Sequence, residues 1–122
     1  MESASRISLT VFAPNGGRTQ VEGEFELSIG TAESCDVVLV GEGVDRQHAR
    51  LSLREGKFWV TDLASDTGTF INGVRITMFN DIGEITADDR VTLGGYLLCL
   101  GDRVSPPPEK KRSGLWARLV GR

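Results

Sequence analysis

His48 is the only histidine in the 122-residue sequence. General-base or triad chemistry would therefore have to run through it. No G-x-S-x-G elbow presents a nucleophile to such a base, so His48 reads as a structural hydrogen-bonder. Asp36, Asp45, Asp62 and Asp66 would suit a divalent cation if the fold gathered them. Asp88 and Asp89 are adjacent, point apart in an extended chain, and read as a solvated turn before Val91. Cys35 and Cys99 lie far apart in sequence, and with a single histidine they make no zinc-ligand spacing. Both sit in apolar surroundings and read as reduced core thiols rather than a disulfide. No Gly-rich phosphate loop of the P-loop or dinucleotide type is present. These residues predict no catalytic centre, no cofactor and no metal.

Strand signals dominate the elements that would position these side chains. Ile7, Leu9 and Val11 alternate with Ser8 and Thr10, and Pro14 to Gly17 then form a turn. Phe25, Leu27 and Ile29 alternate with Glu26 and Ser28, and Val37, Val38 and Leu39 make a short apolar run. Ala49, Leu51 and Leu53 pair across Glu55-Gly56 with Phe58 and Val60. Phe70 and Ile71 pair across Asn72-Gly73 with Val74 and Ile76. Gly94-Gly95 turns the chain from Val91 and Leu93 into Tyr96, Leu98 and Leu100. Gly at a two-residue turn supplies the positive φ that a tight hairpin needs. No stretch before residue 113 holds ten residues of helical periodicity. The fold class is all-β, a sandwich.

The chain is long enough for one domain. With 39% hydrophobic and 25% charged residues it is neither disordered nor membrane-embedded in composition. It has no apolar run of the roughly 18 residues a membrane helix needs, and no signal-peptide pattern. Its net charge of −3 is unevenly spread. Residues 1–102 hold 8 Lys and Arg against 16 Asp and Glu, and residues 103–122 hold 6 against one. An acidic body disfavours nucleic acid, whose affinity is dominated by phosphate contacts. The prolines of Ser105 to Pro108 cannot join a sheet interior, so the domain is expected to span residues 1–102. Residues 103–122 are then a Pro-rich, basic linker or tail. Within it Leu115, Trp116, Leu119 and Val120 fall on one face of a short amphipathic helix.

Four spaced blocks carry a family resemblance. Gly30 with Asp36, Val37 and Leu39 resembles the G-R-x(4)-D-[IV]-x-L start of a forkhead-associated (FHA) domain. Val44, Asp45, Arg46, Gln47, His48 and Ala49 resemble its V-S-R-x-H-A block. Asp62, Leu63, Ser65, Gly68, Thr69, Phe70, Asn72 and Gly73 resemble D-L-x-S-x-N-G-T-F-V-N-G. Asp88, Val91, Leu93 and Gly94 resemble the closing L-x-x-G-D-x-[IV]-x-[LF]-G segment. The resemblance implies an eleven-strand FHA/SMAD-like β-sandwich with recognition loops at one end. It also implies binding of phosphothreonine peptides by an Arg after the first Gly, by the Ser of S-R-x-H, and by the two residues before the following Gly. In this family pattern Gly30, His48, Gly68, Asn72 and Gly73 shape the loops.

The phosphate positions depart from that pattern. Thr31 stands where the resemblance expects Arg, Asp45 where it expects Ser, Asp66 where it expects Thr, and Thr67 where it expects Asn. The expected partner-binding residues are therefore Thr31, Asp45, Arg46, Ser65, Asp66 and Thr67, in a pocket that is neutral to acidic. Asp45 and Asp66 either face the site or cap loop N–H groups. Arg46 either turns in to replace the missing guanidinium or pairs with Asp45 or Asp66, and Arg18 is a further cation that could reach a loop. The expected function is a protein–protein scaffold or assembly module that does not depend on phosphothreonine. The alternative is a phosphothreonine reader that uses Arg46. The expected partner is another protein or peptide, with no nucleic acid and with membrane contact only through a following segment. A degenerate FHA domain before a basic linker is similar to the cytoplasmic part of bacterial type III secretion inner-membrane ring proteins. That similarity implies a cytoplasmic location tethered to the inner face of a membrane.

Overall fold

The computed structural model of the chain describes residues 6–76, 82–102 and 104–107. The expected helix around Leu115 and Trp116 lies outside the described residues. Eleven strands follow in chain order: β1 (Ile7–Phe12), β2 (Arg18–Gly23), β3 (Glu26–Gly30), β4 (Val37–Val38), β5 (Ala49–Arg54), β6 (Lys57–Asp62), β7 (Phe70–Ile71), β8 (Val74–Arg75), β9 (Ile82–Ile85), β10 (Val91–Leu93) and β11 (Tyr96–Leu100). They form a six-stranded sheet in the order β2-β1-β11-β10-β7-β8 and a five-stranded sheet in the order β4-β3-β5-β6-β9. Every pairing is antiparallel except β3 with β4.

The period-2 pattern sorts side chains to the inner and outer faces. Leu9, Val11, Leu93 and Leu98 from one sheet meet Leu27, Ile29, Leu51 and Val60 from the other in a single buried core. Beside the longer β1–β2 hairpin, three two-residue hairpins set the register. Glu55-Gly56 (φ 54 and 77), Asn72-Gly73 (φ 52 and 85) and Gly94-Gly95 (φ 55 and 88) each carry two positive φ angles in succession, the type I′ turn whose twist matches that of the strands. They bring Arg54 opposite Lys57, Ile71 opposite Val74 and Leu93 opposite Tyr96.

Three details differ from the sequence reading. β2 shows no apolar alternation because it is an exposed edge strand with only Val21 packed on the core, and polar residues suit an unpaired edge. Phe25 is 68% exposed rather than alternating inward with Leu27. It precedes β3, past the end of the core, where its carbonyl accepts the Leu53 N–H at 2.8 Å. Asp89 rather than Asp88 is the carboxylate that organises the turn before β10. Its Oδ2 accepts the Thr86 N–H at 2.7 Å, and its Oδ1 accepts an Asn72 Nδ2–H at 2.8 Å.

The two ends of the sandwich are distinct. Gly94 after β10 lies against Gly43, so the β4–β5 connection sits at that end. The connections after β3 and β6 share that end, because both join the β4–β5 loop by hydrogen bonds. At the other end of β10, the Asn72 N–H donates to the Arg90 carbonyl at 2.7 Å. The Asn72-Gly73 turn therefore points away from the loops gathered around Gly43. Cys35 and Cys99 are buried thiols.

Of the three two-residue turns, the one at Glu55 places a long non-Gly side chain at a left-handed first position, where Asn and Gly are favoured. Glu55→Asn is expected to stabilise the fold by about 0.5–1 kcal/mol, measured as a higher urea midpoint at unchanged slope.

Candidate functional site

His48 is 0% exposed and joins two loops. Its Nδ1 accepts the Asp45 N–H at 3.0 Å, and its Nε2 lies 3.0 Å from the Gly68 carbonyl oxygen. An imidazole that accepts at Nδ1 carries its proton at Nε2, so this hydrogen-bond network assigns the Nε2–H tautomer, donating to Gly68. The residue's own backbone closes the frame. Its N–H donates to the Ile29 carbonyl at 2.8 Å, and its carbonyl accepts the Leu63 N–H at 2.9 Å. His48 thus ties the β4–β5 loop to both the β3 and β6 sides of the site.

Gly30 permits the third loop to close. A Cβ there would lie 2.0 Å from the Arg46 carbonyl oxygen, a distance no side chain tolerates. In its absence the Thr31 N–H donates to the Asp45 carbonyl at 3.0 Å and the Ala32 N–H to the Arg46 carbonyl at 3.3 Å. The Cys35 thiol donates to the same Arg46 carbonyl at 3.3 Å, which gives this cysteine a structural use.

The sequence-predicted binding residues divide between surface and interior. Thr31 and Asp45 are half-buried, and Arg46, Asp66 and Thr67 are exposed at the loop end. Ser65 is buried, contrary to the expectation that it faces a partner. Its hydroxyl donates to Asp62 Oδ1 at 2.5 Å and accepts the Gly68 N–H at 3.0 Å, so the β6–β7 loop consumes it. Thr67 also spends its hydroxyl inside the loops, donating to the Gly43 carbonyl at 2.6 Å. Asn72 and Gly73 sit at the opposite end of the sandwich and frame Asp89 and Arg90.

The two carboxylates that could face the site behave differently. Asp45 Oδ2 accepts the Asp66 N–H at 3.0 Å, so this side chain braces one loop against the other. Asp66 leaves its own carboxylate exposed. Arg46 pairs with neither: among the described residues the ion pairs are those of Arg6 with Glu22 and Glu24 and of Arg50 with Glu26. Arg18 turns elsewhere and donates to the Val104 carbonyl at 3.1 Å. Arg75, which the sequence reading did not single out, does reach the site. Its guanidinium packs over Gly68, where a Cβ would meet Nε at 2.6 Å, and Nη2 lies 3.4 Å from the Asp66 carbonyl oxygen. The β7–β8 hairpin sets Arg75 opposite Phe70, two residues beyond Gly68, and so brings it there, and nothing in its sequence neighbourhood marks it.

Asp62 anchors the whole β6–β7 loop. It accepts from the Ser65 N–H at 3.1 Å, the Ser65 hydroxyl and the Thr69 hydroxyl at 2.7 Å. Burial alone would raise its pKa, but the hydrogen bonds from Ser65 and Thr69 hold it below the ordinary carboxylate value. Asp36 likewise serves the backbone, accepting from the Ser28 N–H at 3.0 Å. Among the described residues no group of three or more His, Cys, Asp or Glu is placed to hold a metal ion. A cleft of about 390 Å³ opens at the other end of the molecule between Phe58, Ile85 and Leu100, and none of the motif residues lines it.

Two facing sheets with three loops pinned by a buried histidine define an all-β interaction module. The family model described as FHA domain matches residues 27–94, more than half of the chain. The chain belongs to the forkhead-associated family, whose domains are protein–protein interaction modules that usually bind phosphothreonine peptides. It is 32% identical over 75 residues to the FHA domain-containing protein FhaB of Mycobacterium tuberculosis, an alignment covering 62% of this chain and 48% of FhaB. The chain therefore spans about half the length of the curated relatives it matches. Among solved structures, the FHA domain of the CT664 protein from Chlamydia trachomatis is 25% identical with a TM-score of 0.70, covering 82% of this chain and 100% of that one. Mycobacterium tuberculosis EmbR, in complex with a low-affinity phosphopeptide, is 17% identical with a TM-score of 0.65, covering 84% of this chain and 26% of that one, a likeness of fold alone.

Two expected outcomes follow from the frame. His48→Ala leaves the Asp45 N–H and the Gly68 carbonyl without their buried partner, and each such group costs about 1–3 kcal/mol. The variant is expected to lose stability on that scale in urea denaturation, with amide shifts confined to the β4–β5 and β6–β7 loops. Asp62 has a lowered folded-state pKa, so its contribution is full above the unfolded carboxylate pKa of about 4 and is lost as pH falls through the folded value. Denaturation midpoints measured from pH 7 down to pH 2 are expected to fall less steeply for Asp62→Asn than for the parent.

Proposed function

We propose that this chain is a protein-binding FHA module whose recognition end does not depend on phosphothreonine, and that it serves scaffolding or assembly rather than catalysis. One observation carries the reading: the Asp45 carboxylate stands where the family supplies a neutral hydroxyl, and it is bonded to the Asp66 N–H. A carboxylate and a phosphate about 5 Å apart repel by about 3 kcal/mol per unit charge pair at an effective dielectric near 20. Thr31 brings no guanidinium to offset this, and a charge-assisted hydrogen bond of that kind is worth about 1.5–3 kcal/mol. Thr67 has already committed its hydroxyl to Gly43. The loops keep the family's frame while presenting a neutral to acidic surface, which suits an unphosphorylated protein segment, neutral or cationic. The basic residues 103–122 fit a module held on the cytoplasmic side of a membrane by a following segment.

A second reading has one observation in its favour. The Arg46 side chain is exposed and has no hydrogen bond or ion pair among the described residues, so its guanidinium is available to an anion. In that reading Arg46 replaces the arginine missing at Thr31 and the domain binds phosphothreonine.

Restoring the lost chemistry separates these readings. Thr31→Arg, Asp45→Ser and Thr67→Asn together are expected to create binding to phosphothreonine peptides, seen as saturable NMR shifts at residues 31, 45 and 67 that the parent does not show. A triple variant that keeps the parent's strand dispersion and still binds nothing would contradict this account of what the pocket has lost. Parent shifts that disappear on Arg46→Ala would establish the second reading in its place.

A further inference from the structure

The outer face of an antiparallel sheet in a two-layer sandwich ordinarily meets water, so a residue hidden there needs a cover. Along β1 and β11 the side chains Leu9, Val11, Leu98 and Leu100 belong to the inner core. Thr10 and Cys99 are register partners that alternate with them and face outward. They are nevertheless only 0% and 1% exposed.

The chain that follows β11 is hydrogen-bonded to side chains of this sheet. The Thr10 hydroxyl donates to the Gly101 carbonyl at 2.6 Å, and the Gln20 amide bonds the Asp102 carboxylate. Arg18 Nη1, on β2, donates to the Val104 carbonyl at 3.1 Å. Arg90 Nη1, immediately before β10, donates to the Pro107 carbonyl at 2.8 Å. β2 and β10 flank the β1–β11 pair on opposite sides. A segment held at Val104 by one and at Pro107 by the other must cross that pair. Pro107 is itself buried.

The chemistry of the segment explains why arginines hold it. Pro106 and Pro107 have no N–H to pair with a strand, and a residue that precedes proline is kept extended. Such a segment offers mainly carbonyls, and guanidinium N–H groups are strong, directional donors to them. We propose that Arg18 and Arg90 form a carbonyl clamp on the outer face of the six-stranded sheet, a binding site for a proline-rich extended segment, occupied in cis by Val104–Pro107. The clamp lies away from the loops around His48 and does not rest on the function proposed above. Arg18 and Arg90 are its side-chain anchors, and Val104 is 76% exposed. The strap therefore lifts without unfolding the sandwich, a local opening of the kind surface segments undergo, and lifting it uncovers the Cys99 thiol.

Alkylation of the whole chain with N-ethylmaleimide under native conditions, with each cysteine quantified by mass spectrometry, reads this opening. Cys35, at the recognition end, is the internal control. Arg18→Ala with Arg90→Ala is expected to speed Cys99 labelling about tenfold or more, the scale of losing charge-assisted hydrogen bonds, with Cys35 labelling unchanged. A strap-side variant, Pro106→Gly with Pro107→Gly, leaves the sandwich intact and is expected to give the same acceleration. Unchanged Cys99 labelling in the strap-side variant overturns the proposal. So does equal acceleration of Cys35 and Cys99 in that variant, or parent Cys99 labelling as fast as in urea-unfolded chain.

Discussion

The recognition end depends on one buried ring. His48 uses both imidazole nitrogens and both of its backbone groups to connect Asp45, Gly68, Ile29 and Leu63. Three connections that are distant in sequence are thereby held in one arrangement before any partner arrives. Such preorganisation lowers the ordering cost of binding, which otherwise subtracts from the affinity of loop-built sites. Gly30 and Asp62 extend the same frame. The missing Cβ at Gly30 lets the β3–β4 loop close on Arg46, and the Asp62 carboxylate gathers Ser65 and Thr69 beneath the β6–β7 loop.

On this frame the residues at the family's phosphate positions differ from the family pattern. A hydroxyl at position 45 would leave the phosphate end of a peptide a neutral donor, whereas the Asp45 carboxylate is an acceptor and takes the Asp66 N–H for itself. Side chains that sit in a phosphate pocket by family pattern have become loop braces: Asp45 to Asp66, Thr67 to Gly43. Among the described residues, the exposed side-chain charges at this end outside any ion pair are Arg46 and the carboxylates of Glu33, Glu42 and Asp66, so the balance is acidic. In the function proposed, such a surface discriminates through shape and through individual charge contacts rather than through a single dianion.

Much of the fold was legible in the sequence because the signals were local. Asn72-Gly73 and Gly94-Gly95 announce type I′ turns by residue type, and Leu9, Leu51 and Leu98 announce a core by alternation. β2 was illegible because an edge strand with a single side chain packed on the core has no period to read, and its six residues are positioned by pairing with β1. The site was legible in its position and less so in its orientation. The family blocks located Asp45, Asp66 and Thr67, but only the structure shows that Ser65 turns inward, that Asn72 lies at the far end and that Arg75 arrives over Gly68 from the next hairpin. Side-chain direction in loops follows from contacts between segments some 20 residues apart, which spacing along the chain does not encode.

The claim that the frame persists without its phosphate chemistry is tested most directly on the unaltered chain. Peptides synthesised in pairs, each with threonine and with phosphothreonine at the same position, can be titrated by fluorescence anisotropy at fixed ionic strength. The account predicts that any peptide that binds does so with no more than about a twofold gain on phosphorylation. A pair whose phosphorylated member binds more than about tenfold tighter, a difference of roughly 1.4 kcal/mol, would contradict it.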